Sequence, residues 1–215
     1  MHRLSRTDWS DHLRSLAEPV LADTPLAEGW WGDAAAFVEG FADERGDRRA
    51  VDRPLLAWMV GADPGPPPPL TPRGVDLRLW WTLHRGDRID SVIAPGPGPL
   101  VGRTAFESGA IETTTEIELG ALHALGHHAT RDRRWMARCL DAARWHVEFL
   151  QPDNGTNHPW AVHVFVWLAM TETDESRAGE AALHAETLVH NALVASGRPD
   201  RFSACLLLDA ARALA

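Results

Sequence analysis

The chain has 215 residues, of which 45% are hydrophobic and 24% charged, and 21 basic against 30 acidic side chains give a formal net charge of −9. This length buries a substantial core in one domain or two small ones, and the acidic balance excludes nucleic acid and anionic membrane surfaces as principal partners. Lysine and tyrosine are absent, which reads as the coding bias of a GC-rich bacterial genome and removes Schiff-base and P-loop-lysine chemistry.

The first residues, MHRLSRTDWSDHLRSLAEPV, contain no continuous apolar segment of signal-peptide type. Nowhere does a run approach the roughly 18 apolar residues of a membrane span. Cys139 and Cys205 fall on expected helices and read as buried reduced thiols, so the expected compartment is the cytoplasm. Residues 1–107 are expected to form an irregular helical portion, with short helices near 8–17, 33–44 and 54–61. ADPGPPPPLTPRG, residues 62–74, follows as a stiff polyproline-like connector. VDLRLWWTLHRGD fits a short helix or a strand, and APGPGPLVG at 94–102 is a second breaker.

From about residue 108 the pattern becomes long-period helix. A helix near 111–128 places Ile117, Ala121, Leu122, Ala124 and Leu125 on a wide apolar arc. Glu112, Glu116, His123 and His127 form a narrow stripe opposite it, the ordinary pattern of a solvated face. A helix near 135–150 carries His146 in the middle of its apolar face. The segment Pro159–Met170 is apolar nearly all round, with Pro159 suited to the first helical position and His163 its polar interior residue. Helices near 176–195 and 201–214 close the chain. Residues 108–215 are therefore an αα-hairpin region, and the expected fold is all-α, one compact domain with a Pro-rich N-terminal portion wrapped on consecutive hairpins.

ELGALHALGHHATRDRRWMARCLDAARWHVEFL, a helix, a TRDRR turn and an alanine-spaced helix, resembles the helical hairpins of α/α-toroid proteins, the six-hairpin glycosidases and their relatives. The resemblance implies a partial toroid and a carbohydrate-related ligand. It covers residues 108–215 and carries no catalytic signature; the chain is long enough for about half of a six-hairpin ring.

The candidate chemistry concentrates in QPDNGTNHPWAVHVF, residues 151–165. The chain has three asparagines and one glutamine, and Gln151, Asn154 and Asn157 all lie here. Turn formation explains Asp153–Gly155, and Asn157 or His158 could cap a helix starting at Pro159. Turn formation does not require Gln151, Asn157, His158, Trp160 and His163 together. Carboxamides and a carboxylate beside a flat indole suit a polyhydroxylated ligand, giving Gln151, Asn154, Asn157, His158, Trp160 and His163 as ligand-binding candidates. Glycosidase-type catalysis needs two carboxylates, for which Asp153 and Glu116 or Glu118 are the candidates. Glu118 lies within an apolar arc that would raise its pKa, and His146 could serve as a buried general base. His123 and His127 form HxxxH, with Glu116 on the same stripe as a third metal-ligand candidate.

These residues leave three readings open. The leading one is a toroid-like helical protein binding a small sugar-like ligand around 151–163, with acid–base hydrolase or isomerase activity as its enzymatic form. The others are a non-catalytic scaffold forming a homo-oligomer or docking a protein partner, and a His-ligated metalloprotein. No cofactor is expected beyond a His-bound transition metal in that last case. The partner expected is a small polar molecule, with no nucleic acid and no membrane.

Overall fold

The computed structural model describes residues 4–30, 32–150 and 156–215, so Gln151, Asp153 and Asn154 lie outside the described residues. Among those described, the chain forms α-helices and no strand. The helices are α1 (Arg6–Leu21), α2 (Ala34–Gly40), α3 (Asp52–Val60), α4 (Val75–Arg85), α5 (Arg103–Ser108), α6 (Ile111–Arg131), α7 (Arg134–Phe149), α8 (Val162–Thr171), α9 (Glu175–Val194) and α10 (Arg201–Leu214). None is long and apolar enough to cross a membrane.

Local chemistry sets most boundaries. Ser5 and Asp8 form a capping box that starts α1, while Asp33, Asp174 and Asp200 accept backbone N–H bonds at the starts of α2, α9 and α10. The ambiguous segment VDLRLWWTLHR is the helix α4: Val75, Leu79 and Leu83 recur at helical spacing and are buried with Trp80, against α6. The proline connector before it stays non-helical except for one 3₁₀ turn at Pro72–Gly74. It is tied to α4 by the Trp81 indole donating to the Gly65 carbonyl (3.0 Å) and the Arg78 guanidinium donating to the Pro68 carbonyl (3.2 Å).

Chain order becomes packing order over most of the C-terminal half, where α6 packs on α7, α7 on α8 and α8 on α9. The ends of the chain meet: α1 lies along α10, and the Ser10 hydroxyl donates to the Ala211 carbonyl at 2.9 Å. One contiguous apolar cluster runs from Trp9 in α1 through Leu55, Trp80, Leu122 and Phe165 to Leu214 in α10. At about 25 cal/mol per Å² this shared burial is the main favourable term holding N- and C-terminal portions together.

Two expectations change. α8 begins at Val162 instead of Pro159, because Pro159 lies in a tight turn in which the Trp160 N–H bonds the His158 carbonyl (2.8 Å). Ala161 then enters the left-handed region at φ 55°, where helix cannot propagate; neither Asn157 nor His158 caps α8, whose N-cap is Ala161. The second change concerns α6. α4, α7 and α8 all pack on it, and His123 and His127 are buried instead of forming a solvated face.

Candidate functional site

A cleft of about 840 Å³ opens between the segment at residues 43–49, the start of α6, the loop before α8 and the α9–α10 turn. Glu116, Thr156, Asn157 and His158 line it. Its wall holds an ordered polar array. Glu116 Oε1 accepts from His158 Nδ1 at 2.7 Å and from the Trp160 indole N–H at 2.6 Å. The other ring nitrogen of His158 lies 3.2 Å from the Arg49 guanidinium, which pairs in turn with Asp43 at 3.0 Å. Arginine can only donate, so His158 Nε2 accepts and its proton sits on Nδ1, aimed at Glu116. Phe202 supports the array, with Arg49 stacked 4.2 Å above its ring and His158 edge-on at 5.1 Å.

Electrostatics separates the carboxyls near this wall. Burial would raise the Glu116 pKa, but hydrogen bonds from His158, Thr156 and Trp160 outweigh it and hold the group below the usual range. Asp76 on α4 goes the other way: burial lifts it to about 7, backbone N–H bonding opposes the rise, and the nearby Glu116 charge adds to it. Asp76 reaches this region because residue 120, one turn beyond Glu116, is glycine. A Cβ there would stand 3.3 Å from Asp76 Cβ and 3.7 Å from the Trp160 ring. The result is one carboxylate ionised throughout the neutral range beside another that exchanges a proton near neutrality, the division of labour that acid–base catalysis uses.

Behind Trp160 lies a second, buried constellation. His123 and His127 of α6 meet His163 of α8, and one ring nitrogen from each lies within 4.8 Å of the others. Asp209 of α10 supplies the negative charge, its Oδ2 3.1 Å from His123 Nε2 and 2.5 Å from His127 Nε2. Its pKa is driven far below the carboxylate range: burial opposes ionisation, but the N–H bonds from His127 and His123 prevail. His163 is driven well down by burial, with His123 and His127 adding to the effect. The Ala161 N–H donates to His123 Nδ1 at 3.2 Å, which fixes the His123 proton on Nε2, facing Asp209.

The structure thus divides the expected site residues among three places. Asn157, His158, Trp160 and Glu116 gather at the cleft, with Trp160 itself buried. His163 joins His123 and His127 in the interior, so Glu116 belongs to a different site from the two histidines of its stripe. Glu118 and His146 form the third group. Glu118 is fully buried and accepts the N–H groups of Leu100 (2.6 Å) and Val101 (2.7 Å). His146 Nε2 lies 3.8 Å from Glu118 Oε1, and neither residue lines the cleft. Their position assigns Glu118 to holding the 94–102 loop on α6, while Arg138 ties the same loop to α7 by donating to the Gly98, Ala94 and Pro99 carbonyls. Asp209, Arg49 and Asp76 escape recognition in the sequence. For Asp209 a signal exists, since a lone carboxylate in the apolar run ACLLLDAA must find partners inside the protein.

Fold and sites together define an all-α helical-hairpin protein with a polar cleft and a buried histidine–aspartate cluster. No protein family, curated protein or solved structure matches the chain.

Proposed function

We propose that the cleft binds a small polyhydroxylated, sugar-like molecule, and that Glu116 and His158 equip it for acid–base chemistry of the hydrolase or isomerase kind. The observation that carries this reading is the Glu116–His158–Arg49–Asp43 array on the wall of a cleft of about 840 Å³. Small-molecule sites fall in the range of about 300–1,000 Å³ and use a few fixed polar groups to orient their ligand. Here the Glu116 and His158 side chains are locked before any ligand arrives, while Asn157 stands exposed beside them with both a donor and an acceptor for hydroxyl groups. The excess of acidic over basic groups on the lining, Asp43, Glu44, Asp47, Glu112, Glu116 and Asp200 against Arg45, Arg49 and Arg198, favours a neutral ligand over an anionic one.

In a catalytic form of this reading, Glu116 is the acid–base carboxylate, with His158 holding it in position. Calorimetric titration with a panel of monosaccharides, disaccharides and polyols tests the proposal. A ligand binding with Kd below about 1 mM is expected. His158→Ala should weaken it about tenfold or more, as loss of a hydrogen bond to a charged group does. A folded protein that binds no member of the panel, or a His158→Ala variant of undiminished affinity, overturns it.

A further inference from the structure

His163 presents an unusual problem for a core residue. It is wholly buried, and neither of its ring nitrogens has a hydrogen-bond partner among the described residues. An imidazole contains one N–H and one lone pair, and leaving either unmet in a dry interior is destabilising. The ring does not lie against a purely apolar wall that would explain it as packing. Its centroid is 4.5 Å from that of His123 and 5.4 Å from that of His127. Its approach also depends on a specific gap in α6: a Cβ on residue 126 would come within 2.3 Å of His163 Nε2, and residue 126 is glycine. In the run HALGH the two histidines stand one turn apart, and the glycine admits a third imidazole between them.

We propose that His123, His127 and His163 form a binding site for one divalent transition-metal ion of the imidazole-preferring kind, with Asp209 as its buried counter-charge. Three neutral imidazoles and an adjacent carboxylate match the preference of zinc, cobalt or nickel for nitrogen donors. Calcium and magnesium, which need oxygen donors, do not fit. Tetrahedral zinc with bonds of about 2.0–2.1 Å sets ligand nitrogens about 3.4 Å apart. The ring nitrogens, within 4.8 Å of one another, must therefore draw inward. His163 can do so most readily, because no hydrogen bond holds its ring. His123 is the constrained member: Ala161 N–H occupies its Nδ1, so an ion taking Nε2 displaces the proton shared with Asp209. The ion's way in lies at His127, the one member of the triad with measurable exposure, beside the Trp58 ring, tilted against it with centroids 5.4 Å apart.

The test uses the untagged full chain. Elemental analysis after expression in medium supplemented with zinc should find about one ion per chain. After removal of metal by a chelator, Co²⁺ titration should give the visible d–d bands of nitrogen-coordinated cobalt, saturating at about one equivalent, and a melting temperature that rises with metal concentration. His163→Leu and His127→Leu should abolish the cobalt bands, whereas His163→Leu should leave polyol binding at the cleft unchanged. The ion being buried, cobalt is also added during refolding, so slow entry cannot be mistaken for lack of affinity. Wild-type protein that refolds in cobalt without d–d bands or a thermal shift overturns the proposal, as does a His163→Leu variant that keeps the full cobalt spectrum.

Discussion

Glu118 is the residue whose assignment as a loop anchor, and not a catalytic acid, makes the sharpest prediction. Its carboxylate, wholly buried, accepts two backbone N–H groups of the 94–102 loop at 2.6 and 2.7 Å. Glu118→Ala leaves the Leu100 donor unmet in the interior and the Val101 donor unmet at its edge. At about 1–3 kcal/mol for a buried orphaned group, the loss is at least about 1–3 kcal/mol before any cavity term. Glu118→Gln keeps the shape but offers one acceptor oxygen and one NH₂ group, which would face a backbone N–H. One bond of the two is then lost, for about 1–3 kcal/mol. Urea unfolding at neutral pH measures both, with unchanged m-values confirming that the compared states are the same. A catalytic carboxylate gives the opposite pattern, in which removal leaves stability intact or improves it and abolishes turnover. A Glu118→Ala variant within about 1 kcal/mol of wild type would therefore refute the anchoring role.

Two further outcomes follow from the interior. Gly126→Ala pushes a methyl group to within 2.3 Å of His163 Nε2 and should destabilise by about 1–3 kcal/mol through overpacking, measured by the same unfolding assay; a neutral result would show that His163 is not held where it lies. His184, buried against the Phe165 ring at 4.3 Å, has its pKa lowered to about 3, chiefly by burial, with His146 adding to the fall. A group with a depressed folded pKa stabilises fully above its unfolded value and loses that stability as pH falls toward the folded one, so the window here runs from about 6.5 down to 3. Between pH 7 and pH 5 the neutral His184 should lose about 2 kcal/mol of its contribution. The stability difference between wild type and His184→Leu should shift by that amount over the interval, and a pH-independent difference would contradict the assignment.

The sequence revealed the helices well because capping residues and the 3.6-residue period act locally. The segments near 111–128, 135–150, 176–195 and 201–214 became helices within a few residues of the expected ends. The start of α8 was missed because Pro159 satisfies two local rules at once, first helical position and tight turn, and only the Ala161 backbone decides between them. The site failed differently. Periodicity tells which residues share a helix face, yet it cannot tell whether another helix covers that face. The stripe Glu112, Glu116, His123 and His127 runs along α6 from solvent into the core: Glu112 is exposed, Glu116 stands on the cleft wall, and the histidines are enclosed. One stripe therefore serves two sites. Reading it as a single face hid the partner, Asp209, which lies more than 80 residues away in sequence.

The carboxamide-rich segment before α8 can now be understood through its described part. Between Thr156 and Val162 the chain must connect a wet wall to a dry cluster within a few residues. His158 faces Glu116 and Arg49. Trp160 turns inward, yet its indole N–H returns to Glu116, so one carboxylate receives both. Ala161 then takes a left-handed conformation that costs a non-glycine residue about 1–2 kcal/mol. The effect of that conformation is to direct the Ala161 N–H at His123 Nδ1. A regular helix starting at Pro159 would orient that N–H along the helix axis and leave His123 Nδ1 without this donor. The local strain is thus repaid in a second hold on the His123 proton, which stays on Nε2 toward Asp209. The His158 tautomer, at the other end of the same short segment, is set separately by Arg49 and Glu116.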